Sequence, residues 1–122
     1  MVLTIIFVAL LVAADQAIKL WTITALAAQP GARQEFLPGL LNFRYVQNTG
    51  AAFSFFENGT VFFAVFTSIV LIAMTVLLIR VRKRNIRLLN AAITLILAGG
   101  IGNLIDRVAR GFVVDMFEFD FI

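Results

Sequence analysis

From Val61 to Ile79 the chain carries no charged side chain, and from Leu88 to Ile105 it again carries none. About 20 mostly apolar residues form a helix long enough to cross roughly 30 Å of hydrocarbon. Hydrocarbon offers no partner for backbone N–H and C=O groups, so a run of this kind in lipid must be helical. A third run, about Val2 to Ala28, qualifies despite Asp15, Gln16 and Lys19. Composition agrees: 61% of the 122 residues are hydrophobic and 14% charged, where soluble domains are about 45–50% apolar. The expected fold is therefore an all-α polytopic membrane protein in a single domain. Its membrane segments are expected at about residues 2–28, 61–79 and 88–105. A cleavable signal peptide fits the first run poorly. No positive side chain precedes its apolar core, and apolar character resumes after Lys19.

The connecting segments set the expected orientation. Arg80, Arg82, Lys83, Arg84 and Arg87 sit together in the short 80–87 loop, with no acid among them. A basic cluster can mark a nucleic-acid surface, but one wedged between two membrane runs reads as a cytoplasmic loop. The N-terminus is then cytoplasmic, while the 29–60 loop and the 106–122 tail are extracytoplasmic. Pro30-Gly31 and Pro38-Gly39 are turn signals. The alternation in Leu41-Asn42-Phe43-Arg44-Tyr45 predicts a half-buried strand, hence a small extracytoplasmic β element.

Neither cysteine nor histidine is present. That excludes disulfides, thiol nucleophiles, Cys/His zinc sites and a Ser-His-Asp triad. Acid–base chemistry falls to Asp, Glu, Lys or Tyr. Asp15 and Lys19 are four apart and share a helix face, which predicts a self-neutralising pair turned toward the other helices. The third helix closes with Gly99-Gly100-Ile101-Gly102-Asn103-Leu104-Ile105-Asp106-Arg107. Its glycines permit close approach of a neighbouring backbone. Helical spacing sets Gly99, Asn103 and Arg107 on one face, with Asp106 beside them. Taken alone, this is a tight helix contact capped by a surface ion pair, and Arg107 is also suited to a phosphate or carbonyl oxygen at headgroup level. Gly111 is expected to stop the helix. Asp115 then sits in the apolar stretch Val113-Val114-Asp115-Met116-Phe117. Two carboxyls that share a proton can activate water and protonate a leaving group, but one apolar-flanked aspartate does not by itself establish that chemistry.

The blocks together are more specific. Asp15-Gln16 with Lys19, then Asn48-Thr49-Gly50-Ala51-Ala52-Phe53, then the glycine run through Asp106-Arg107, then Val113-Val114-Asp115 resemble the lipoprotein signal peptidases (signal peptidase II) in content and order. The resemblance implies a four-helix bundle in a bacterial cytoplasmic membrane, of which three helices are present here. It implies an aspartic endopeptidase, without metal or organic cofactor, that cuts lipidated prolipoprotein signal peptides. Membrane phospholipid is the other implied partner, with no nucleic acid and no obligate protein partner. By position Asp115 matches a catalytic aspartate. Asn48, Asn103 and Arg107 match polar site residues, and Asp15 and Asp106 match supporting ones. Lys19, Gly50, Gly99 and Gly102 belong to the same blocks. Phe53 and Phe112 are candidates for apolar walls.

The resemblance also implies a second catalytic aspartate, in a Phe-Asn-x-Ala-Asp block opening the fourth helix. No such block occurs through Ile122. The expectation is a chain cut short before that helix, with little peptidase activity of its own. Two other readings compete: a non-catalytic membrane module that binds lipid or signal peptide, and a small transporter component. In the latter, Asp15–Lys19 and Asp106–Arg107 would be buried polar groups.

Overall fold

The computed structural model describes residues 1–48 and 59–119. Three long helices dominate it: α1 (Val2–Trp21), α2 (Thr60–Val81) and α3 (Arg87–Ala109). Each is long and apolar enough to cross a membrane. Three strands, β1 (Arg33–Leu37), β2 (Leu41–Asn48) and β3 (Val113–Phe119), form one antiparallel sheet in the order β1-β2-β3.

The helices are built for lipid. Leu3, Phe7 and Leu10 of α1, Val61, Phe66 and Ile72 of α2, and Leu88 and Leu95 of α3 all point outward. In water that much exposed apolar surface opposes folding; in hydrocarbon it does not. The interior is small. Leu78 and Val81 of α2 meet Ile93 and Leu97 of α3, with Leu71, Met74 and Leu89 around them. α3 packs against both α1 and α2.

The basic loop is shorter than expected. Arg80 and Arg87 belong to the helices, and only Arg82–Arg84, a single 3-10 turn, with Asn85 and Ile86 joins α2 to α3. Asn85 adopts a left-handed φ of 57°, which asparagine tolerates better than most residues. Long cationic side chains at helix ends can reach the polar interface, so arginine does not end a membrane helix.

The segment expected as an outer tail, 106–122, also differs. α3 continues through Ala109. Gly111 takes a left-handed φ of 84° and donates its N–H to the Asp106 carbonyl at 3.1 Å, a glycine stop of the expected kind. The chain then enters β3, which pairs with the centre of the sheet. A buried strand edge supplies partners that no local propensity reveals.

The sheet closes the end of the bundle opposite the basic turn. Leu40 donates its N–H to Leu37 across Pro38-Gly39 at 3.0 Å, and Gly39 has φ 73°, the geometry of a type II turn. β2 lies in the middle, and its register against β3 shifts between Phe43 and Val46. The expected alternation of β2 is only partly realised, because Asn42 is buried rather than turned to solvent. Thr60, at the start of α2, donates its hydroxyl to the Gly111 carbonyl at 2.8 Å. That bond ties the start of α2 to the turn between α3 and the sheet.

Candidate active site

α1 does not stop at Trp21 but widens into a π-helical turn, Thr22–Leu26. Such turns re-aim side chains and are frequent at functional sites. Here Thr22 is fully buried and its hydroxyl donates to the Ile18 carbonyl at 2.9 Å while also touching Met116 Sδ on β3 at 3.7 Å. Trp21 meets the ring of Phe43 edge-on at 6.1 Å. Phe43 in turn stacks on Phe36 at 4.6 Å and contacts Phe117 at 5.9 Å. These contacts fasten the sheet to the end of α1.

Between α1, α3 and the sheet lies a cavity of about 550 Å³. One wall is apolar, with Ile18, Phe36, Phe43, Met116 and Phe117. The other carries Asp15, Lys19, Asn103 and Asp115. Asp115 is half-buried, and its Oδ2 accepts a hydrogen bond from Asn48 Nδ2 at 3.0 Å. The register explains the bond. Asn48 lies opposite Val113, so Asp115 is its diagonal neighbour two residues on.

Below Asp115 is a buried polar network. Lys19 Nζ lies 3.0 Å from Asp15 Oδ2, 2.9 Å from Asp106 Oδ2, and donates to Asn103 Oδ1 at 3.1 Å. Asp106 has no exposed surface. Its Oδ2 also accepts the Val114 N–H at 3.0 Å. Gln16 Nε2 reaches Asp106 Oδ1 and the Gly102 carbonyl, each at 3.2 Å. Arg110 pairs with Asp106 and donates to Gln16 Oε1 at 3.0 Å. A buried carboxylate is tolerated when its charge is matched and its oxygens are filled, and here both conditions hold.

The expected self-contained Asp15–Lys19 pair is thus one side of a larger cluster in which Lys19 joins α1 to α3. The expected surface ion pair of Asp106 with Arg107 does not form. Asp106 turns inward to Lys19 and Arg110, and Arg107 turns toward α2. There its Nη1 donates to Thr67 Oγ1 at 3.4 Å and its guanidinium lies 5.6 Å from the Phe63 ring centre. The shared face of Gly99, Asn103 and Arg107 is divided: Asn103 serves α1, Arg107 serves α2, and a Cβ at Gly99 would meet nothing within 4 Å. At Gly102 a Cβ would collide with the Asp15 carboxylate, so the absence of a side chain here makes room for that group. Gly50 and Phe53 lie outside the described residues. Phe112 is not among the residues lining the cavity.

Known proteins similar to this chain agree on its family. A family model described as signal peptidase (SPase) II matches residues 7–122. The chain belongs to the signal peptidase II family. It is 43% identical over 114 residues to a lipoprotein signal peptidase of Enterococcus faecalis, covering 93% of this chain and 69% of that one. It is 38% identical over 117 residues to a lipoprotein signal peptidase of Streptococcus pneumoniae, covering 96% and 74%. A solved structure described as a bacterial membrane enzyme, obtained by the in meso method at 2.3 Å, superposes with a TM-score of 0.84. It is 33% identical and is covered to 71% by 98% of this chain. Signal peptidase II membership, with three apolar helices, makes this an integral bacterial membrane protein of a peptidase family.

Sequence reasoning missed Arg110 and gave Gln16 no role of its own, although both touch Asp106. Arg110 reads as a loop cation until α3 is known to run to Ala109. Gln16 carried a usable signal, since an amide in a membrane helix needs partners. Thr22, Phe36, Phe43 and Met116 were also missed, because only the π-helical turn and the sheet register bring them to the cavity.

Proposed function

We propose that this chain is an aspartic endopeptidase that removes signal peptides from diacylglyceryl-modified prolipoproteins, with Asp115 as one of two catalytic carboxylates. The relatives carry the substrate class: they are named lipoprotein signal peptidases. One observation carries the assignment of Asp115. Its carboxylate, held by Asn48, lines the same cavity as an apolar wall of Phe36, Phe43, Met116 and Phe117. The wall suits a lipidated, apolar signal segment, and the polar side suits the scissile peptide bond.

In this reading one aspartate takes a proton from water as it attacks the carbonyl carbon, and the other donates a proton as the bond breaks. Asn48 fixes the rotamer of Asp115. Asn103 lines the cavity beside Asp115 and faces the developing negative charge, Arg107 braces α3 against α2, and Asp15, Lys19, Gly102 and Asp106 hold the frame. The second carboxylate belongs to the Phe-Asn-x-Ala-Asp block, which these 122 residues do not include. Tested by themselves they should therefore cleave little or nothing.

The same reading puts Asp115 on the extracytoplasmic side of the bacterial cytoplasmic membrane and the N-terminus in the cytoplasm. Its support is the concentration of five cations at Arg80–Arg87, at the bundle end remote from the sheet.

The test is cleavage of a lipidated prolipoprotein by the purified chain extended through the missing block, with and without Asp115→Asn. The extended chain should cleave, and the substitution should cost roughly 10²–10⁴-fold, the usual worth of a positioned acid or base. Both forms should stay folded. Equal cleavage by both would remove Asp115 from the chemistry. Absence of cleavage with unchanged peptide affinity would mark a binding module instead.

A further inference from the structure

At the far end of the bundle, around the basic turn, lies a cavity of about 320 Å³ lined by Met1, Thr4, Leu78, Arg82, Lys83 and Asn90. It opens beside an apolar cleft of about 350 Å³ that shares Met1, Thr4 and Leu78 and runs on past Val8, Thr75 and Ile101. Both volumes fall at the lower end of the range for small-ligand sites, about 300–1,000 Å³. Nothing in the chemistry around Asp115 uses either space.

We infer that the two together form a binding site for one anionic phospholipid, with the phosphate between Arg82 and Lys83 and an acyl chain in the cleft. Three observations support this. Arg82 and Lys83 are exposed, and among the described residues neither makes a salt bridge. Their charge awaits an anion at the depth where headgroups lie, and basic pockets between membrane helices are known places for such lipids. Next, Asn90 lines the same cavity, and its Oδ1 is buried with no hydrogen-bond partner. That unmet acceptor belongs to a side chain bordering the cavity, and rotation of the amide would bring it to a donor such as the hydroxyl of a glycerol headgroup. Finally, the polar cavity passes directly into a cleft walled by Val8, Thr75 and Ile101. That order of polar and apolar lining matches a phospholipid from headgroup to tail. A soluble phosphate would use only the first part.

The experiment is native mass spectrometry of the detergent-solubilised protein titrated with phosphatidylglycerol or phosphatidylcholine of the same acyl chains. One phosphatidylglycerol should bind roughly tenfold or more tightly than phosphatidylcholine, as two cations at a lipid surface allow. Arg82→Gln with Lys83→Gln should erase that preference. Arg84→Gln with Arg87→Gln, an equal loss of charge at residues that do not line the cavity, should keep it. Val8→Phe, which narrows the cleft without altering charge, should weaken binding, and water-soluble glycerol 3-phosphate should not displace the lipid. Equal affinity for the two lipids overturns the inference. So does an equal effect of the two double substitutions, unchanged binding by Val8→Phe, or displacement by glycerol 3-phosphate.

Discussion

Asp106 Oδ2 accepts the backbone N–H of Val114 at 3.0 Å, so a fully buried carboxylate near the end of α3 fixes the strand residue that immediately precedes Asp115. The same carboxyl group balances Lys19 and Arg110. Asp106→Asn keeps the shape and leaves an acceptor for Val114, but it takes a carboxylate from two cations, leaving Lys19 with Asp15 alone and Arg110 with no carboxylate among the described residues. Breaking a buried pair from one side costs about 3–5 kcal/mol. The expected result is a loss of that order in the unfolding free energy of the solubilised protein. Lys19→Met should cost less than Asp106→Asn, because Asp106 then keeps Arg110, Gln16 and Val114. The reverse ranking would show that Lys19, not Asp106, is the hub.

The glycines of α3 are separable by the space each one faces. At Gly102 a Cβ meets the Asp15 carboxylate, at Gly100 it meets the tip of Leu71 at 2.6 Å, and at Gly99 it meets nothing. Gly102→Ala should destabilise most, by the roughly 1–3 kcal/mol typical of overpacking, since Asp15 is held by Lys19. Gly100→Ala should cost less, because a leucine methyl can swing aside. Gly99→Ala should be neutral or stabilising by up to about 1 kcal/mol, the helix-propensity difference. Thermal unfolding of the three variants checks the order.

Asn48→Ala removes the hydrogen bond to Asp115 Oδ2. A hydrogen bond to a charged group contributes about 1.5–3 kcal/mol. If its role is to orient Asp115, turnover by the extended chain should fall about ten- to hundredfold with the KM for substrate little changed. A change confined to KM would mean that Asn48 contacts substrate instead.

Orientation is open to direct labelling, because the chain has no native cysteine. Phe117→Cys, at an exposed position beside the cavity, should react with a membrane-impermeant maleimide added outside intact cells. Arg84→Cys in the basic turn should react only after the membrane is opened. The opposite pattern would place Asp115 in the cytoplasm and end the proposed function.

The helices were legible because lipid acts on every residue of a long apolar run, so composition alone reveals them. β2 and the turns at Pro38-Gly39 and Gly111 were legible from local chemistry. β1 was not: all five of its residues are exposed, so no burial rhythm marks it, and only pairing with β2 makes it a strand. β3 hid for another reason. Val113 and Val114 are both buried, which blurs the period of two and leaves the look of an apolar tail. At the site, residue types pointed correctly to the polar cluster but not to its pairing. Adjacent Asp106 and Arg107 invited a local ion pair, yet a helix of 3.6 residues per turn sets neighbours about 100° apart, and each found its partner on a different element.

The central position of β2 bears on how the protein is made. Asn48 is synthesised 67 residues ahead of Asp115, and β2 gains its second neighbour only when β3 emerges. Until two further helices have been threaded into the bilayer, one side of the hairpin is a raw seam of unmet amides and carbonyls. A nascent chain in that condition is open to stray strands and to quality-control proteases, and the strand carrying Asp115 is the zip that shuts it.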